Sequence, residues 1–384
     1  MISTYELSQK FNHQLLRKIC CPVCLSSLFH KPLDERKDLL VCNFCKSNFL
    51  IVDGLPILLI DDENWHKKAD EIHGEVIYNT KTIPPEVHQN RNAFVDKNTE
   101  TLLHEVQIDL TNDDILVVGC SFAELEFFAR RSKSVVASDL VPALAKGCLQ
   151  ATQGKKIPAS WFCGDGECLP LEDESFSCVI VRQTLHHMLK YYSAVCEFFR
   201  VCKRGGRILI IDEPFCAPDL NDLPLSRLPN EFHVYDGLSL GKIRKKKLNF
   251  LSILTPHKSD DVNIKFLEKA SSYIEPNQRN AESFLADKYH SFSLLSCIYS
   301  IRLHTNEFQL IWPQEVAWVD ESGETVSFSH GKNPNYDKSL IDKLISPGNV
   351  SLVAKKTMQT SVYRDRKNLR ALPLDLSYKL TSTF

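Results

Sequence analysis

The chain has almost no charge imbalance: 46 Lys and Arg stand against 48 Asp and Glu over 384 residues, a formal net charge of -2. A protein so nearly neutral has no global positive field to draw it to nucleic acid or to a membrane surface. Long apolar runs are missing as well. No window approaches the length that a membrane span needs, and the opening MISTYELSQKFNHQLLRK has no uninterrupted apolar stretch of the signal-peptide kind. A disulfide framework is the third absence. Of 14 cysteines, many sit singly inside apparent strands or helices, such as Cys120, Cys178 and Cys297, which suits a reducing compartment. A cytoplasmic location is expected, with an organelle matrix as the alternative. Apolar residues at 43% and charged residues at 24% describe an ordinary globular chain, long enough for one large domain and a smaller one.

Four cysteines do follow a pattern. Cys21-Pro22-Val23-Cys24 is followed by Cys42-Asn43-Phe44-Cys45, two C-x2-C knuckles at zinc-site spacing. Each knuckle turns tightly enough to present two thiolates to one tetrahedral ion, and the residues between suit a returning hairpin. The plain alternative is four reduced cysteines packed as small hydrophobes; the doubled knuckle favours the metal. Cys20 beside Cys21 leaves a register ambiguity, and Cys21 gives the clean spacing. Four thiolates close the coordination shell, so the zinc is expected to be structural. Beyond the second knuckle, Phe49–Val52, Asp53-Gly54 and Leu55–Leu59 read as strand, turn, strand. Together, CPVC, LVCNFC and VDGLPILL resemble the small zinc-binding domain known as an activator of RNA and protein methyltransferases. The resemblance covers about residues 15–62 and implies scaffolding, or contact with a substrate or a protein partner.

Beyond Asp113, short Val- and Ile-rich runs alternate with helical stretches. Strands are expected at Ile115–Gly119, Ser134–Asp139, Ser160–Cys163, Cys178–Arg182 and Arg207–Ile211, and helices near Glu124–Arg131, Pro142–Gln150 and Tyr191–Cys202. This alternation implies a Rossmann-like, doubly wound, mostly parallel α/β sheet, with ligands at the carboxyl ends of the strands. The residues there have physical uses. The turn after the first strand, Gly119-Cys120-Ser121-Phe122-Ala123, lets backbone approach a ligand. Asp139 ends the second strand, where a carboxylate can accept both ribose hydroxyls. Asp165 follows the third, where it can accept from an adenine amino group. Either aspartate is alternatively a loop residue or a helix cap.

The same blocks carry a second resemblance. ILVVGCSFAELE, VVASDL, FCGDGECLPLEDESFSCVIVRQTLHHM and RVCKRGGRILIIDEP are similar to class I methyltransferases, and most of all to the group containing the ubiquinone/menaquinone C-methyltransferases. Gly348–Lys356 is similar to that fold's last, antiparallel strand. The resemblance implies S-adenosylmethionine as cofactor. Gly119 would border its methionine part, Asp139 hold the ribose, Asp165 face the adenine with Gly166 and Glu167 beside it, and Gln183 sit beneath the sulfonium. Ser121 and Ala123 replace two glycines of the family's turn. Should either need positive φ, strain of about 1–2 kcal/mol would follow, enough to weaken binding roughly tenfold.

The remaining signals are weaker. His186 and His187 are candidates for a general base or simply packed residues; methyl transfer often needs only alignment in a dry site. Glu213-Pro214 lines the acceptor side or caps a turn. The run Lys242–Lys247 is an RNA contact or a solvated cluster. Aromatics at Phe308, Trp312 and Trp318 suggest packed strands or a lid. The expected division is a zinc-binding domain over 1–62, a helical connector over 63–111, and a methyltransferase domain over 112–356 with an insertion at about 215–345. A polar, loosely ordered tail over 357–384 completes it. Three functions follow: a methyltransferase acting on a small organic acceptor, an RNA-modifying relative, or an inactive binding platform.

Overall fold

A computed structural model describes residues 12–33, 37–61, 96–188, 190–215, 233–234, 246–247, 294–305, 307–311, 316–319, 325–328, 348–357, 370–375 and 377. Most of the Lys242–Lys247 run, Trp312 and most of the connector lie outside them.

The N-terminal unit is an antiparallel meander of β1 (Leu28–Pro32), β2 (Lys37–Cys42), β3 (Asn48–Val52) and β4 (Leu55–Leu58). Asp53 and Gly54 both take positive φ, as a two-residue hairpin turn of type I′ requires, so the Asp-Gly signal is answered directly.

The central strands are β5 (Asp114–Val118), β6 (Ser134–Asp139), β7 (Ala159–Gly164), β8 (Phe176–Arg182) and β9 (Cys202–Phe215). Between them run α1 (Phe122–Ala129), α2 (Pro142–Gly154) and α3 (Tyr191–Val201). Later come α4 (Leu294–Arg302), β10 (Phe308–Ile311) and β11 (Gly348–Lys355). These eleven strands form one sheet in the order β1-β2-β3-β4-β7-β6-β5-β8-β9-β11-β10. From β4 to β9 every neighbour is parallel; β11 is antiparallel to both β9 and β10. The Rossmann-like reading holds, with β11 as the expected last strand.

The cysteine unit and the α/β unit share this sheet through β4, whose Ile57 and Leu58 pair with Cys163 and Gly164. Both apolar layers continue across the junction. One packs Leu15, Ile19, Leu40 and Phe49 with Val179, Phe198 and Ile298. The other packs Leu50, Leu55 and Ile57 with Leu103, Ile115, Phe128 and Leu149. Strands buried on both faces explain the unbroken Val and Ile runs.

Two expectations change. Within the segment read as an insertion, α4 packs on α3 and β10 is an edge strand of the main sheet, because Phe308 and Leu310 have apolar partners in the core. The tail is not all loose. Arg370–Ala371 pairs with Ile60–Asp61, Arg370 reaches Asp61 at 2.7 Å, and Leu372 is buried with its N–H on the Leu59 carbonyl.

Arg200 of α3 is buried and satisfies several groups at once. Its guanidinium meets Glu197 at 2.8 Å and Asp173 at 2.7 Å, and it donates to the carbonyls of Leu169 and Leu171. Arg200→Ala would leave the buried Glu197 without its cation, so a loss of about 3–5 kcal/mol is expected. Urea unfolding tests this; a loss below about 1 kcal/mol would show that the arginine is not holding the 169–173 segment.

Candidate functional site

The two knuckles come together. The Sγ atoms of Cys21, Cys24, Cys42 and Cys45 all lie within 4.8 Å of one another, with Cys21 to Cys45 at 3.6 Å and Cys24 to Cys42 at 3.4 Å. Four thiolates at about 2.3 Å from one tetrahedral zinc would stand about 3.8 Å apart, so the set fits such an ion. Phe44 and Cys45 donate their N–H groups to Cys42 Sγ at 3.4 Å; burial pushes the Cys42 thiol up, and these N–H groups oppose it only in part. Partial burial pushes the Cys24 thiol up, but hydrogen bonds from Ser26 and the neighbouring thiols outweigh it and lower it to about 6. Cys20 lies outside the cluster, which resolves the register.

The second constellation lies at the carboxyl ends of β5 to β9. Gly119 closes β5 at φ +67, and its N–H, like that of Cys120, donates to the Ser138 carbonyl of β6. The glycine is needed for a neighbour. A Cβ there would collide with Thr184 Cγ2, and Thr184 Oγ1 donates toward the Gly119 carbonyl at 3.2 Å. Ser121 is the N-cap of α1 at φ -77, in a reciprocal capping box with Glu124. Ala123 lies inside the helix. Neither takes positive φ, so the strain that the missing glycines implied does not arise, and Ser121 serves as a strong cap.

Asp139 ends β6 opposite Cys163 of β7, and its Oδ1 accepts from Val141 N–H at 2.7 Å. Asp165 follows β7, is buried, and accepts from Glu167 N–H at 2.9 Å. Gly166 and Glu167 open the single turn Gly166–Cys168, and Glu167 accepts from Lys190 N–H. Gln183 follows β8 at φ +44, a strained position for a non-glycine residue that persists only under firm constraint. Its N–H donates to the Ile211 carbonyl of β9. The fold thus places Gly119, Asp139, Asp165 and Gln183 on one rim. The buried Ser138 Oγ and Arg182 Nε on the same rim have no hydrogen-bond partner among the described residues, which fits a polar ligand there.

Sequence reasoning missed the charged floor of this rim. A bulge in β9 between Ile210 and Glu213, with Asp212 at φ +54, turns both Asp212 and Glu213 into the interior. Arg182 lies 3.4 Å from both Glu124 and Asp212. Burial raises the Asp212 carboxyl, and the Arg182 charge only partly opposes it. Burial acts on Glu213 in the same direction but is outweighed by His186 and by the Leu185 and Thr184 N–H groups, so Glu213 is lowered. Its carboxylate accepts from the Thr184, Leu185 and His186 amides and lies 2.8 Å from His186 Nδ1. The His187 ring lies 4.1 Å from that of His186. An ionised carboxylate can only accept, so Nδ1 carries the proton in this pair. Glu213 was legible only as a rim residue; its grip on three amides is set by the bulge.

Residues 116–210 match the protein family described as a methyltransferase domain. The chain is 38% identical over 66 residues to the ubiquinone/menaquinone biosynthesis C-methyltransferase UbiE of Pasteurella multocida, covering 17% of this chain and 23% of that protein. It is 32% identical over 85 residues to the uncharacterized protein YafE of Escherichia coli, covering 22% and 41%. The chain thus spans less than half the length of either relative. To a UPF0434 protein of Nitrosococcus oceani it is 34% identical over 59 residues, 15% of this chain but 95% of that one.

Two outcomes are expected. Gly119→Ala should destabilise the protein by several kcal/mol, whereas Gly119→Ala combined with Thr184→Gly should recover part of that loss, leaving the φ strain of about 1–2 kcal/mol and the lost Thr184 hydroxyl contacts. Equal melting temperatures for the single and double variants would refute the packing role. For Glu213, a folded pKa below the unfolded value means stabilisation that is complete above about pH 4.3 and is lost as pH falls through the lowered value. The stability gap between wild type and Glu213→Gln should therefore be full at neutral pH and shrink below about pH 4. A gap independent of pH would contradict the assignment.

Proposed function

Because the chain belongs, through a segment of 59 residues, to the UPF0434 protein family and carries a methyltransferase domain across residues 116–210, we propose that it transfers a methyl group from S-adenosylmethionine to a small organic acceptor. One observation carries this reading: Asp139 and Asp165 close adjacent parallel strands beside the glycine turn of β5. A ribose and an adenine can be recognised there together. The cofactor supplies an electrophilic methyl on a sulfonium.

The roles then follow the geometry. The Gly119–Ala123 turn borders the methionine part, Asp139 accepts from the ribose, and Asp165 faces the adenine with Gly166 and Glu167 beside it. Gln183 lies beneath the sulfonium, held in its strained conformation by Ile211 and by the Glu213 grip on the residues that follow. Such fixation aligns donor and acceptor, the main requirement of the reaction. Where the acceptor must lose a proton, His186, oriented by Glu213, is the imidazole on that side of the rim. Cys21, Cys24, Cys42 and Cys45 hold a structural zinc.

Calorimetric titration of the zinc-loaded protein with S-adenosylmethionine tests the reading. Micromolar binding is expected, weakened at least roughly tenfold in Asp139→Ala. Folded wild-type protein that takes up no cofactor would refute it.

A further inference from the structure

The cysteine cluster and the cofactor rim meet in one segment, residues 165–173. Its first limb carries Asp165, Gly166 and Glu167. Its second limb is bonded to residues 18–20, which lead into the first cysteine knuckle. Cys20 N–H donates to the Pro170 carbonyl and Glu172 N–H to the Lys18 carbonyl, each at 2.9 Å. Ile19 and Leu171 form an antiparallel bridge between them. The Cys168 thiol points to the Pro22 carbonyl at 3.7 Å, and Pro22 lies inside the knuckle that Cys21 and Cys24 close. On its other side the same limb is held by Arg200, through the Leu169 and Leu171 carbonyls.

The path of residues 18–22 is therefore a wall against which the cofactor loop is built. That path depends on bringing Cys21 and Cys24 to the second knuckle, and a metal bound by four thiolates supplies much of the free energy that holds so short a unit in place. The loop thus takes part of its position from the residues that lead into the metal site, beside the hold of Arg200. Only three of the loop's own residues, Gly166–Cys168, form a helical turn, and the segment has no regular hydrogen-bond ladder of its own.

We infer that the first cysteine knuckle is a positioning element for the 165–173 cofactor loop, so that zinc occupancy and S-adenosylmethionine affinity reinforce one another. The inference rests on the cofactor reading above. Linkage makes the coupling reciprocal: whatever factor zinc adds to cofactor affinity, the cofactor adds to zinc affinity.

The test uses the full chain, zinc and S-adenosylhomocysteine. Zinc affinity is measured by competition with a chelator, with and without saturating S-adenosylhomocysteine. A rise of about fivefold or more is expected, and none in Asp139→Ala. Hydrogen exchange supplies a second readout that a merely structural staple would not give. Removing zinc should speed exchange at the Cys20, Cys168 and Glu172 amides while Val117 and Ile180 in the central strands stay protected, and adding zinc back should restore it. If the loaded protein binds S-adenosylhomocysteine and its zinc affinity does not move, the inference is overturned while the cofactor reading stands. Central strands that lose protection together with the loop overturn it too, since the metal then staples the whole fold. A loaded protein that binds no S-adenosylhomocysteine removes the cofactor reading and this inference with it.

Discussion

A strand at the edge of a parallel sheet presents an open row of N–H and C=O groups, which must be covered if the strand is to hold its register. In this chain β7 would be that edge, and β4 covers it through the pairs Ile57 with Cys163 and Leu58 with Gly164. Much else depends on this short seam. It places the knuckle of Cys21 and Cys24 beside the loop that follows β7, and it lets both apolar layers run from Leu40 and Leu50 into the core of the α/β sheet. The segment that reads as a small module in the sequence is, in the structure, the outer wall of the large one.

A second organising constraint lies on the opposite side of β5. The bulge in β9 buries two successive carboxylates whose surroundings move them in opposite directions. Asp212 is raised, burial outweighing Arg182; Glu213 is lowered by His186 and backbone amides. Neighbouring groups driven apart in this way are a common arrangement at working sites. Here the lowered one also fixes the backbone from Thr184 to His186, and that fixation keeps Gln183 in a conformation it would not hold alone.

Much of this was legible in the residues. The strand runs around Val117, Val136 and Ile180 are unbroken because both sheet faces are covered, so period and composition agree. The cysteine pairs and the Asp53-Gly54 turn are local signals whose geometry needs no distant partner. What stayed hidden involves long-range contacts. Nothing in Leu55–Leu58 says that its free edge pairs with residue 163 rather than with solvent. The bulge that turns Glu213 inward depends on register against β8 and β11. The missing glycines at 121 and 123 looked costly because φ cannot be read from residue type; in the structure Ser121 is a cap and Ala123 a helical residue. Arg370–Leu372 looked like loose tail because its partner, the stretch from Leu59 to Asp61, lies at the other end of the chain.

The seam between β4 and β7 also sets an order of events during synthesis. The knuckles and their meander pair within a short stretch of chain, so their hairpin contacts can form before the rest of the sheet has been made. The meander's last strand then waits, with one edge bare, until a partner about a hundred residues further on has been made, a delay typical of non-local parallel pairing. Pro56 sits in that waiting strand, and proline within a strand discourages wrong partners. Completion of the α/β half would then close that edge and both apolar layers in the same step.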